Sequence, residues 1–93
     1  MLRFITTNRF EKDYKKMRKQ GRNLDNLDDV MEKLIKEEQL HERHRDHRLT
    51  DSRNYRKRRE CHIEPDWLLI YKIDEEEKII FFERTGSHSE LFK

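Results

Sequence analysis

One cysteine, one proline, two glycines and one tryptophan in 93 residues leave few of the features that usually announce a function. A single cysteine, Cys61, excludes an internal disulfide and fits a reducing compartment. No apolar run approaches the length of a bilayer, and Met1-Leu2-Arg3-Phe4 lacks the long apolar stretch and small-residue cleavage site of a signal peptide. The expectation is a cytoplasmic protein with no membrane partner. There is no internal repeat, low-complexity linker or composition break, so residues 1–93 read as one small domain. Its core is just large enough to stand without metal or disulfide staples.

What the chain does have is charge. Asp, Glu, Lys and Arg make up 45% of it against 32% hydrophobic residues, yet the net charge is only +2. The apolar residues fall into periodic segments, which separates this sequence from a disordered one of similar polarity. Lys and Arg outnumber Asp and Glu by seven to two in residues 1–20 and by eight to four in residues 41–60. The ratio reverses, three to six and two to six, in residues 21–40 and 61–80. Two basic blocks could follow a phosphate backbone, where affinity comes from neutralising phosphates and releasing counterions. A solvated mixed-charge surface is the alternative.

Periodicity predicts a short strand over Leu2 to Thr6, with Phe4 and Ile5 reaching a core. A helix capped by Asn8 follows, carrying Phe10, Tyr14 and Met17 on one face and ended by Gly21. Asn23 caps a second helix with the stripe Leu24, Leu27, Val30, Met31, Leu34 and Ile35. Residues 39–53 read as an ordered loop. A strand from Arg56 to Ile63 turns at Glu64-Pro65-Asp66 into the apolar run Trp67 to Ile73, which pairs through the acidic turn Asp74 to Glu77 with Lys78 to Arg84. The fold class is therefore α+β: two antiparallel helices packed on a small, mainly antiparallel twisted sheet.

The chemistry is concentrated at strand ends. Cys61-His62-Ile63-Glu64-Pro65-Asp66-Trp67 and Glu83-Arg84-Thr85-Gly86-Ser87-His88 could bring two histidines, an aspartate and an arginine to one phosphate. Metal-free RNA cleavage needs a base for the 2′-OH, an acid for the leaving 5′-oxygen and donors for the charged phosphorane. Histidine, with an unperturbed pKa of about 6.5, suits both proton transfers. Each residue also has a structural reading: His62 as a hydrogen-bonded strand residue, Asp66 as a turn former, Arg84 as a salt-bridge partner of Glu83 or Glu90, Trp67 as core, Phe92 as tail packing. Cys61 beside His62 is no nucleophile pair, because neighbours in a strand face opposite sides. His41, His44 and His47 recur every three residues and with Asp46 could be drawn as a metal cluster, but the flanking arginines would repel a divalent cation. A solvated loop face from which only His47 reaches the site explains them more simply, and the expectation is no metal and no cofactor.

Taken together, Asp46-His47, Glu60-Cys61-His62, Glu64-Pro65-Asp66-Trp67, Ile70-Tyr71, Glu83-Arg84-Thr85-Gly86-Ser87-His88 and Leu91-Phe92 resemble the YafQ-type toxins of the RelE/ParE superfamily over essentially the whole chain. Arg48 departs from that pattern, which usually has Pro there. The resemblance implies a RelE-like microbial RNase fold and a toxin of a type II toxin-antitoxin pair. It also implies a ribosome-dependent endoribonuclease (mRNA interferase) cutting mRNA in the ribosomal A site of the 70S ribosome, restrained by a cognate antitoxin. Carried over residue by residue, His47, His62, Asp66 and His88 match the positions for proton transfer, and Arg84 the position at the scissile phosphate. Phe92 and Trp67 would contact the message. The basic residues Arg56, Lys57, Arg58 and Arg59 would suit 16S rRNA or, equally, an acidic antitoxin. Two rival functions remain open: a non-enzymatic ParE-like gyrase inhibitor, and a plain RNA- or protein-binding module.

Overall fold

The computed structural model describes residues 1–49 and 57–92. The elements run in the order β1 (Arg3–Thr6), α1 (Asn8–Lys19), α2 (Leu24–Ile35), a 3₁₀ turn (Glu42–His44), β2 (His47–Arg48), β3 (Arg59–Glu64), β4 (Trp67–Asp74), β5 (Ile79–Gly86) and α3 (His88–Leu91). The strands form one sheet in the order β1-β5-β4-β3-β2, with β1 parallel to β5 and the other pairs antiparallel. This is the expected α+β architecture. No described helix is long and apolar enough to cross a membrane.

Local chemistry sets the helix ends. Thr7, not Asn8, caps α1: its Oγ accepts from the Phe10 N–H at 3.0 Å and donates to the Glu83 carbonyl at 2.9 Å, tying the helix start to β5. Gly21 ends the helix as expected. With φ at +75°, it lets the Gly21 N–H reach the Arg18 carbonyl and the Arg22 N–H the Met17 carbonyl, a Schellman closure. Asn23 caps α2 through the Asp25 N–H at 3.1 Å.

Alternation along β4 divides the interior. Trp67, Leu69 and Tyr71 face the helices and pack with Phe10, Met17, Leu27 and Leu34, while Phe82 and Ile80 extend that layer from β5. Full burial of each large side chain contributes about 1.5–3 kcal/mol, so this layer holds the fold. Leu68 and Ile70 face the other way, where Leu91 and Phe92 of the C-terminal turn and Leu49 cover them. One expectation fails here: Phe4 and Ile5 are 57% and 45% exposed. They lie on an edge strand, and Leu2 enters the core instead.

Candidate active site

Cross-strand partners in a sheet present their side chains on the same face, so the register identifies what can meet. His47 is opposite Glu60, Glu60 opposite Ile70, and Ile70 opposite Arg84. One row of positions thus crosses four strands on the face away from α1 and α2. The next row holds His62, Leu68 and Gly86. Cys61, between Glu60 and His62, points to the opposite side, fully buried, and burial pushes its thiol pKa well above the usual range. The expectation that Cys61 cannot serve His62 holds on geometry.

Within this face, His47, Glu60 and His62 come together. The Glu60 Oε1 lies 3.4 Å from His62 Nε2 and 3.9 Å from His47 Nε2. His62 Nδ1 is 3.2 Å from the Pro65 carbonyl, and His47 Nδ1 is 2.6 Å from the Arg45 carbonyl. Asp66 sits in the tight turn joining β3 to β4 and accepts from the His88 backbone N–H at 3.3 Å, linking that turn to the start of α3. The Asp66 carboxylate therefore orients a peptide group, not an imidazole. His88 stacks on Phe92, ring centroids 4.8 Å apart, and α3 is set by a capping box in which Ser87 and Glu90 bond each other's backbone N–H.

Arg84 does not pair with Glu83 or Glu90. Its Nε and Nη2 donate to the two oxygens of Asp13 on α1, at 2.7 and 3.2 Å, and the Thr85 N–H donates to the same carboxylate. The pair spans the stretch of β5 beyond the end of its ladder with β1. Glu83 and Glu90 take Arg58 and Lys16 respectively.

Trp67 corrects one expectation of contact with the message. It is fully buried, its indole N–H donates to Thr85 Oγ at 2.9 Å, and the Arg22 guanidinium lies 5.3 Å from its ring, so no ring face is open to a base. His44 corrects another. It is buried, not solvated, and its Nδ1 donates to the His62 carbonyl at 2.7 Å, fastening the 3₁₀ turn to β3. His41 caps that turn, accepting from the Arg43 N–H. The three histidines therefore do different work, and among the described residues no group of three potential ligands is arranged for a metal ion.

Of the basic residues, Arg58 pairs with Glu83 at 2.8 Å, and Arg59 with Asp46 at 3.3 Å. Arg59 also donates to Tyr71 Oη, which in turn donates to Asp46; burial and that carboxylate push the Tyr71 pKa far up. With Arg48 and the exposed Lys57 they line an open cleft beside β2 and β3. Arg56 lies outside the described residues. A second cleft, between the 3₁₀ turn and the Pro65 turn, places Arg43 and Arg45 beside His62.

Sequence reasoning missed Glu60 and Asp13 as partners of the site. Glu60 had a signal, since residues two apart in a strand share a face with each other, here with His62. Asp13 had none, as it lies 71 residues from Arg84.

Comparison with known proteins identifies the family and matches the fold. Residues 2–93 match the model of the family described as bacterial toxin of type II toxin-antitoxin system, YafQ. The chain is 39% identical over 84 residues to the mRNA interferase toxin YafQ of Escherichia coli strain B / BL21-DE3, covering 89% of this chain and 87% of that protein. Among solved structures, it is similar to a metal-bound toxin from Helicobacter pylori, with a TM-score of 0.91 and 41% identity over 99% of this chain and all of the other. It is likewise similar to a chain of the E. coli DinJ-YafQ complex, with a TM-score of 0.88 and 35% identity over the whole of both chains. With a family match over residues 2–93 and a relative 39% identical over most of both chains, the chain belongs to the YafQ family of toxins of type II toxin-antitoxin systems.

Proposed function

We propose that this protein is an mRNA interferase that cleaves mRNA in the ribosomal A site by general acid-base catalysis and is held inactive by a cognate antitoxin. The observation that carries the reading is the meeting of His47, Glu60 and His62 on the sheet face away from α1 and α2, with Asp66 tying His88 to the same region. The E. coli relative is named an mRNA interferase, and a solved relative is a toxin in complex with DinJ, which supports both the reaction class and the partner.

In this reading a base among His47, His62, Asp66 and His88 removes the 2′-OH proton. The oxygen attacks the adjacent phosphorus, and an acid of the same set protonates the departing 5′-oxygen. The products are a 2′,3′-cyclic phosphate and a 5′-hydroxyl. Arg84, aimed by Asp13, neutralises the phosphorane, and Phe92 stacks on a base of the message. Lys57, Arg58, Arg59 and Arg56 follow the backbone of 16S rRNA. The H. pylori structure is of a metal-bound toxin. Among the described residues of this chain no group of three or more His, Cys, Asp or Glu is placed to hold a metal ion, and no step is routed through one.

Primer extension on a reporter mRNA in a reconstituted translation system tests the reading. Wild type should cut at in-frame codons only with ribosomes present, and His62→Ala, Asp66→Ala and His88→Ala should not. Isolated fragments should carry cyclic phosphate ends, and pre-treating the toxin with EDTA before adding it to ribosomes should leave the rate unchanged. Intact mRNA with wild type would discard the nuclease and direct the work to a gyrase supercoiling assay.

A further inference from the structure

The open cleft between the 3₁₀ turn and the Pro65 turn is lined by His41, Glu42, Arg43, Arg45, His62 and Pro65, two guanidiniums against one carboxylate. Both arginines are exposed, and among the described residues neither takes a carboxylate partner. Arg58, Arg59 and Arg84 differ, each committed to an acid: Glu83, Asp46 and Asp13 respectively. Two like charges on the wall of one cleft repel, and an anion bound between them relieves that repulsion.

The backbone presents the two side chains in a fixed way. His44, between them, is buried and its Nδ1 donates to the His62 carbonyl at 2.7 Å, while the Arg45 N–H closes the turn on the Glu42 carbonyl at 3.0 Å. Arg45 sits at φ +46°, a left-handed conformation uncommon for a residue with a side chain, and its carbonyl accepts from His47 Nδ1 at 2.6 Å. One residue thus borders both site histidines, His47 through its backbone and His62 through the cleft. Arg84 lies two strands away on β5, so this is a separate place from the one assigned to the scissile phosphate. A guanidinium fork fits carboxylate and phosphate alike. The neighbour favours phosphate, because His62 shares the cleft and the group it acts on in the proposed reaction is an RNA phosphodiester.

We infer that Arg43 and Arg45 form a second phosphate subsite, which holds the RNA phosphodiester next to the scissile one while His62 faces the reacting nucleotide. The inference rests on the proposed nuclease reading, and two arms separate the failure of one from the failure of the other.

In the first arm, the free protein is titrated with a short 2′-O-methyl oligoribonucleotide, which has no 2′-OH to attack and stays intact. The Arg43 and Arg45 side-chain Nε–H signals should shift in ¹H–¹⁵N spectra. The double variant Arg43→Gln/Arg45→Gln keeps the backbone contacts of the turn and should melt as wild type does. It should lower the slope of log K against log salt by about 0.7, the share of one phosphate on a single strand. An unchanged slope, or signals that stay in place, overturns the inference whether or not the protein cuts RNA. A shift produced by an Asp- and Glu-rich peptide but not by the oligonucleotide gives the cleft to a protein partner and overturns it too.

In the second arm, ribosomes are programmed with messages carrying an uncharged methylphosphonate at the linkage on either side of the scissile one. The nucleotide 5′ to each modified linkage is 2′-O-methylated, so only the scissile linkage keeps its attacking hydroxyl. One of the two modifications should slow single-turnover cleavage by wild type about 10-fold, and the double variant, already slower by a similar factor, should lose little more. No loss at either linkage, or equal losses in wild type and variant, overturns the subsite. A wild type that binds the oligonucleotide through both arginines yet leaves ribosome-bound mRNA intact overturns the nuclease reading and keeps Arg43 and Arg45 as a phosphate site.

Discussion

Arg84 and Asp13 form a two-pronged ion pair between β5 and α1, with Nε and Nη2 donating at 2.7 and 3.2 Å and each side chain only 14% exposed. The planar guanidinium matches a carboxylate in a way that an ammonium cannot. Removing one partner of such a pair leaves the other with its charge poorly solvated, and here the Thr85 N–H loses its acceptor too. Asp13→Ala should therefore cost about 2 kcal/mol in urea unfolding, above the range of an exposed pair. A loss under about 0.5 kcal/mol would mean the contact behaves as an ordinary surface bridge.

Trp67→Phe separates a core role from a nucleic-acid one. The indole N–H donates to Thr85 Oγ, which donates on to the Leu68 carbonyl at 2.8 Å, so the tryptophan anchors a buried chain of hydrogen bonds. Losing that donor and part of the ring should lower stability by about 1–3 kcal/mol. Cleavage per folded molecule should stay as in wild type. Reduced cleavage at unchanged stability would restore the view that Trp67 touches RNA.

The elements with a strong period were legible, and the contacts between them were not. α2 and the β4–β5 pair follow from the stripe Leu24 to Ile35 and the runs Trp67 to Ile73 and Ile79 to Phe82, which have one favourable arrangement each. β2 is two residues long and exists only because β3 offers His47 and Arg48 a partner, so no local pattern marks it. α3 is too short to show a period, and its one local signal is Ser87 and Glu90, a capping box three residues apart. For the site, the strand ends are visible as residue types, and alternation puts Cys61 and His62 on opposite faces. The Asp13 clamp and the inward turn of His44 depend on docking between distant segments, which a single sequence does not display.

The basic residues divide into paired and unpaired roles that salt dependence can distinguish. Arg59 is held by Asp46 and Tyr71, whereas Lys57 is exposed at the rim of the cleft. Lys57→Gln should weaken ribosome binding and reduce the slope of log K against log salt by about 0.7–0.9, one phosphate contact. Arg59→Ala should instead lower the melting temperature, because Asp46 and the Tyr71 hydroxyl lose a donor that they share. Equal salt slopes for wild type and Lys57→Gln would remove Lys57 from the RNA-facing surface.

Acid should loosen the C-terminal turn before the rest of the molecule. Lys16 Nζ at 2.6 Å, with the Ser87 N–H, holds the Glu90 carboxyl well below the usual glutamate value, down to about 2. A carboxylate with a depressed folded-state pKa stabilises fully above its unfolded value, and that contribution fades as pH falls toward the folded one. Glu90→Gln should therefore be less stable than wild type near pH 7, by about 1 kcal/mol because Lys16 is largely exposed and solvent screens the pair. The difference should shrink between pH about 4.5 and about 2, where wild type protonates. Paired urea titrations from pH 7 to pH 2 measure it. Since Glu90 caps the turn that carries His88 and Phe92, the same variant should show faster hydrogen exchange at the Phe92 amide, whose hydrogen bond to the His88 carbonyl is 3.0 Å. A stability gap that is flat across this range would show that the pair contributes only through the neutral capping contact.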